Sequence, residues 1–202
     1  CLVGSEMCIR DSKWIQVGNE IRPGMLWDED AALSGASYDV RECDVKGSNS
    51  TSEKVKYRKN FANLAAFINV GYDAVKSVFD DAIVIVHLDN GYDNELYTWF
   101  FNGLKANGGK WDMIGMSLYP YWTMLEHKEY TADRTITECI ANINSVARKY
   151  NCDVMVVETG MERADEKGNL ASASVLAEGK RQLARILKAV SYTHLTLPTN
   201  SR

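Results

Sequence analysis

A chain of 202 residues that is 46% hydrophobic and 25% charged is long enough to pack a core and too apolar for a disordered segment. Its 23 Lys and Arg against 27 Asp and Glu leave a net charge of -4, so neither nucleic acid nor an anionic membrane surface is an expected partner. No apolar run approaches the roughly 18 residues of a spanning helix, and five cysteines without a CxxC pair exclude a zinc ribbon or a thioredoxin-type redox centre.

In chain order, residues 1–12 (CLVGSEMCIRDS) share no helical or strand period with their neighbours, and the same holds for residues 191–202 (SYTHLTLPTNSR). Both strings resemble adapter or vector read-through, and setting them aside leaves residues 13–190 as the expected domain. Within it Cys43, Cys139 and Cys152 remain, an odd count that offers no disulfide framework. Residues 14–18 (WIQVG) form the first predicted strand. The stretch from 21 to 52 is irregular, with Pro23, Gly24, Gly35 and Gly47, and Asn49-Ser50-Thr51 fits a glycosylation sequon of little weight by itself.

The next predicted element is a helix, from Phe61, Leu64, Ala65, Ile68, Tyr72, Val75 and Phe79, spaced three and four apart. Residues 82–87 (AIVIVH) form a second strand and about 94–106 a second helix, ended by the Gly108-Gly109 breaker. Residues 112–118 (DMIGMSL) and 153–157 (DVMVV) are the third and fourth strands. Between and after them, Ile136, Cys139, Ile140, Ile143, Ala147 and Tyr150, and then Leu176, Leu183, Leu187 and Val190, mark two more helices. Near-continuous apolar strands alternating with helices predict a parallel α/β fold.

Neither G-x-G-x-x-G nor a Walker loop occurs, which removes the main sign of a doubly wound nucleotide fold. A (β/α)8 barrel instead predicts reactive side chains at the carboxyl ends of successive strands. Asn19 and Glu20 come after the first strand, His87, Asp89 and Asn90 after the second, Tyr119 after the third, and Glu158 with Thr159 after the fourth. The expected fold is a partial TIM barrel. Glu20 and Glu158, three strands apart, then make the carboxyl pair that glycoside hydrolysis needs. A separation of roughly 5–5.5 Å would imply retention through a covalent glycosyl-enzyme. The bland reading of either glutamate alone is a strand cap or a lysine partner, and His127 in its charged loop reads as merely solvated.

The run Val17-Gly-Asn-Glu-Ile21 with Gly24-Met-Leu-Trp27 resembles the acid/base signature of glycoside hydrolase family 53, the endo-β-1,4-galactanases. So do His87-Leu-Asp-Asn-Gly91, Ile114-Gly-Met-Ser-Leu-Tyr-Pro120 with Trp122, and Val156-Val-Glu-Thr159, in the family's order. The resemblance implies that the four strands are the fourth to seventh of eight, with Glu20 as acid/base and Glu158 as nucleophile. It further implies Asn19 on the sugar 2-hydroxyl, Tyr119 against the nucleophile, and His87, Asp89 and Asn90 lining the cleft. Trp27 and Trp122 become candidates for stacking on galactose faces.

Several features depart from that family. Strands one to three and eight are missing, with the strand-two arginine and strand-eight tryptophan, so a fragment is expected that is poorly stable and inactive alone. Leu118 stands where a second tyrosine is usual, and Gly-Met-Glu-Arg comes after Glu158-Thr159. Glu162, Asp165, Glu166 and Asn169 fall where some relatives hold calcium, but their spacing is not that of an EF-hand. No cofactor is expected for the chemistry, and structural calcium stays open. The expected partner is a β-1,4-galactan polysaccharide, met by a secreted or cell-envelope enzyme that is monomeric at full length. Alternatives are a carbohydrate-binding pseudoenzyme, a related enzyme cutting another β-glycan, and an α/β enzyme unrelated to sugars.

Overall fold

Buried strands alternate with amphipathic helices along the chain. The computed structural model describes residues 12–22, 24–26, 51–160 and 172–195. Its elements are β1 (Trp14–Gln16), α1 (Thr51–Val78), β2 (Ile83–Leu88), α2 (Asn94–Ala106) and β3 (Met113–Leu118), then α3 (Pro120–Glu126), α4 (Ala132–Tyr150), β4 (Asp153–Thr159) and α5 (Ala173–Leu195). The four strands are parallel and form one sheet in the order β1-β2-β3-β4, with Trp14 opposite Ile83 and Gln16 opposite Ile85. All of β3 and all of β2 but Ile83 are buried, as strands covered on both faces must be. The edge strands are less covered. β1 is half-exposed, and in β4 only Val154 is fully buried.

The chain divides into two compact units, Cys1–Asp89 with Glu95–Gly115, and Asn90–Asn94 with Met116–Arg202. In the first, Phe61, Leu64, Ala65 and Ile68 of α1 and Leu96, Tyr97, Phe100, Phe101 and Leu104 of α2 are buried at three- and four-residue steps. The Phe61 ring meets Trp99 and Phe100 edge-on, at 4.9 and 5.6 Å between centroids. Gly103 makes room for that ring, since a Cβ there would lie 2.5 Å from it. The α2 C-terminus closes where expected: Gly108 takes φ +72° and the Gly109 N–H donates to the Leu104 carbonyl at 2.9 Å. Where β3 begins, the Asp112 carboxylate accepts from the Tyr72 hydroxyl (2.9 Å), the Val84 N–H (2.9 Å) and the Lys76 ammonium (2.8 Å).

In the second unit, α4 is capped at both ends. The Thr131 side chain accepts from the Arg134 N–H, and Asn151 takes the left-handed conformation with its N–H on the Ala147 carbonyl. Ile136, Cys139, Ile143, Val146 and Ala147 are buried, and burial pushes the Cys139 thiol up to about 12. On α5 the buried side chain is Ile186, while Leu183 and Leu187 are exposed. The apolar stripe read from sequence is therefore rotated by about one residue. The adjacent Arg185 side chain bonds Asp133 and Thr137 of α4. Helix α3 is not among the elements expected from sequence; its signal is Pro120 at the first helical position, directly after a strand.

Burial pushes the Asp112 carboxyl up, but the bonds from Lys76, Val84 and Tyr72 outweigh it and hold the group below its usual range. A carboxylate lowered in this way stabilises the fold above the unfolded carboxyl's titration, and the benefit is lost as pH falls through the folded value. Asp112→Ala is expected to cost about 2 kcal/mol in urea unfolding at pH 7, since it strands three donors. The gap from the parent protein should narrow towards about pH 3. A gap independent of pH would contradict the assignment.

Candidate active site

In the first unit the chain leaves β1 through two left-handed residues. The Val17 N–H still donates to the Ile85 carbonyl at 3.0 Å; then Gly18 takes φ +79° and Glu20 takes φ +46°. A Cβ on Gly18 would lie 2.4 Å from Ile21 Cγ2, so glycine is needed there for space as well as for φ. Ile21 is buried and its N–H donates to the His87 carbonyl at 3.0 Å, while the Glu20 N–H reaches His87 Nδ1 at 3.5 Å. Arg22 grips Asp89, Nε to Oδ1 at 2.9 Å and the terminal nitrogen to Oδ2 at 2.8 Å. Asn19 is exposed and its Oδ1 accepts from the Gln16 amide at 3.1 Å.

The structure brings Asn19, Glu20, His87 and Asp89 together just past the ends of β1 and β2. His87 is wholly buried beneath the Glu20 backbone. The Asp89 carboxylate is engaged by a guanidinium on both oxygens. Arg22, which the sequence reading passes over, is the residue that engages it; an arginine two positions past the glutamate is the available signal.

In the second unit the Tyr119 hydroxyl donates to Glu158 Oε2 at 3.1 Å, the contact expected of it. Two neighbours of Glu158 reinforce the placement. The Thr159 hydroxyl donates to the Leu118 carbonyl at 2.7 Å, and Gly160 lets the Tyr119 ring approach, its would-be Cβ lying 3.1 Å from Cε1. Leu118 is buried in the sheet. Trp122 stands 56% exposed on α3 with the Tyr121 ring edge-on, 5.9 Å between centroids. Asn90 takes φ +50°, a conformation asparagine tolerates, and its carbonyl accepts from the Asp93 N–H. The loop is pinned by Asn142, a buried helix residue not singled out from sequence, whose amide donates to the Gly91 carbonyl at 2.8 Å and whose oxygen accepts from Asn94 at 2.7 Å.

Trp27 and the acidic residues Glu162, Asp165, Glu166 and Asn169 lie outside the described residues. Among the described residues no cluster of three or more His, Cys, Asp or Glu is arranged to hold a metal ion. No described helix is long and apolar enough to cross a membrane.

The model of glycosyl hydrolase family 53 matches residues 9–193. The chain belongs to that family. An uncharacterized protein in the bgaB 5' region of Niallia circulans is 34% identical over 145 residues, 72% of this chain and 32% of that protein. An arabinogalactan endo-beta-1,4-galactanase of Thermothelomyces thermophilus is 24% identical, over 72% of this chain and 35% of its own length. The chain spans about a third of the length of these curated relatives. Among solved structures, a family 53 catalytic domain from Ignisphaera aggregans superposes with a TM-score of 0.55 at 22% identity, over 90% of this chain and 44% of that one. The four strands and their helices are therefore part of a family 53 (β/α)8 barrel.

Asn142→Ala removes one partner each from Gly91 and Asn94 in a buried setting. It is expected to cost about 1–3 kcal/mol in urea unfolding, read as a lower midpoint with an unchanged slope. A neutral result would show that the loop does not depend on this pin.

Proposed function

We propose that the protein carrying this segment is a retaining, endo-acting hydrolase of β-1,4-galactan that cuts arabinogalactan chains by double displacement. The Tyr119 hydroxyl on the Glu158 carboxylate carries this reading: a hydroxyl donor steadies an ionised carboxylate in one orientation, as a nucleophile needs. In the first step Glu20 gives its proton to the glycosidic oxygen while Glu158 attacks the anomeric carbon, and the C–O bond to the departing chain breaks. In the second, Glu20 takes a proton from water, which attacks the same carbon and releases Glu158. Asn19 donates to the sugar 2-hydroxyl, Asn90 lines the cleft, and exposed Trp122 offers a ring to an apolar galactose face, with Trp27 as a second candidate. The strands are read as the fourth to seventh of the barrel.

Two carboxyl groups supply this chemistry without a cofactor. Such an enzyme meets its polymer outside the cytoplasm, as a secreted or cell-envelope monomer. Residues 1–12 and 191–202 are read as foreign ends, although the family match runs into both; the sequence of the source gene across positions 12 and 191 decides this.

The test uses the full-length enzyme recovered from the source DNA. Potato galactan should release reducing sugar with retained anomeric configuration by NMR, and xylan and mannan should release none. Release from xylan or mannan would make it an enzyme of another β-glycan, and binding without release a pseudoenzyme. Glu158→Gln should lower turnover by at least about a thousandfold while leaving galactan binding intact. Tyr119→Phe should lower kcat roughly 10- to 100-fold, the worth of one hydrogen bond to a charged group. Near-normal turnover in Glu158→Gln would overturn the assignment.

A further inference from the structure

A glutamate at φ +46° holds an unfavourable backbone conformation, costing roughly 1–2 kcal/mol for a residue with a Cβ. Such a residue persists where its surroundings over-determine it, and such places cluster at functional sites. At Glu20 the surroundings are three consecutive tethers onto the end of β2. The Glu20 N–H reaches His87 Nδ1, the Ile21 N–H donates to the His87 carbonyl, and the Arg22 guanidinium takes both oxygens of Asp89. The first is long, at 3.5 Å, and the second is a single backbone bond. Only the third is charged and forked, with both side chains about one-fifth exposed, which keeps water from competing fully. Its planar geometry fixes direction as well as distance. It also acts two residues from Glu20, beyond the left-handed turn, where the backbone would otherwise relax.

We propose that Arg22 and Asp89 form a positioning pair that locks the left-handed turn at Glu20 and so aims its carboxyl. This rests on the reading of Glu20 as the acid/base. Asp89 then serves the glutamate, not the sugar, and His87 is the floor on which the turn is pressed. The pair touches no reacting atom; its effect is to remove alternative placements of the group that does. A proton donor displaced by about 1 Å loses up to about a hundredfold in rate, so a lock of this kind shows in kcat.

The experiment compares two substrates in the full-length enzyme. Galactan has a poor leaving group and needs protonation; 2,4-dinitrophenyl β-galactobioside has one that departs without it. With azide present to replace the base-activated water, Arg22→Met should lower kcat on galactan roughly 10- to 100-fold and on the dinitrophenyl substrate by less than about threefold. KM should stay nearly constant. Asp89→Asn should show the same split, and the double variant should be no worse than either single one. Arg22→Lys, which keeps charge without the fork, should give a smaller split of the same kind and serves if Arg22→Met purifies poorly. Equal losses on both substrates, a rise in KM alone for Asp89→Asn, or additive losses in the double variant would overturn the pair. Glu20→Ala separates the two levels: it should show the largest split of all, and full galactan turnover in it would overturn the acid/base reading itself, whatever the Arg22 variants do.

Discussion

Each candidate side chain depends on hydrogen bonds made just past the carboxyl ends of the parallel strands. A parallel ladder stops when the chain turns away, and the freed backbone groups must find partners or lose their hydration without return. In the first unit the segment after β1 finds them on the end of β2, through Ile21 on His87 and Arg22 on Asp89. In the second unit the Gly91 N–H donates to the Ser117 carbonyl at 2.8 Å, and Thr159 donates to that of Leu118. Bonds of this kind are worth about 1 kcal/mol each net, yet they decide where the carboxyl groups stand. The core supplies stability through β2, β3 and the aromatic packing around Phe61; the strand ends convert that stability into placement.

The two glutamates are held by different means. Glu158 lies at the end of a regular strand, with the Tyr119 hydroxyl on its carboxylate, the Thr159 hydroxyl anchoring the next residue and Gly160 admitting the Tyr119 ring. Glu20 lies outside any regular element, and what is held is its backbone. The difference suits the proposed roles. A nucleophile must present an ionised oxygen along one line, and a fixed donor does that. An acid/base must give up and take back a proton, and a fixed backbone orients its side chain without committing the carboxyl to one protonation state.

Period and punctuation make most of the fold readable. Helix α2 occupies 94–106 as expected, because its aromatic face is strong and Gly108 ends it. Strands β2 and β3 are plain from near-continuous runs rich in Val, Ile and Met. The hidden part depends on neighbours that a single sequence does not name. On α5 Ile186 turns inward while Leu183 and Leu187 do not, and the neighbouring Arg185 meets Asp133 of α4. The partial exposure of β4 goes with its place at the sheet edge, which its Val-Met-Val-Val run does not announce. At the site, the chemistry-bearing types are legible because a barrel puts them after strands. The burial of His87 and the capture of Asp89 are not, since the first depends on the Glu20 and Ile21 backbone and the second on Arg22, each folding back across some 67 positions.

The ends of β3 show why placement outranks electrostatics in locating the site. The densest polar cluster in the first unit is at its beginning, where Asp112 binds Tyr72, Lys76 and the Val84 amide and its carboxyl is held low. Held carboxyls of this kind draw attention in a search for functional sites. Yet every polar atom there answers another polar atom of the fold, and it sits at the amino end of a barrel strand, where such barrels keep their stabilising contacts. At the other end, Tyr119 and exposed Trp122 stand beside the chain's turn out of the sheet. A cluster that satisfies itself holds the strands together; a reactive group has to be held from one side while the other stays open to substrate. By that criterion Asp112 belongs to the scaffold, and the proposed chemistry belongs at the carboxyl ends of the strands.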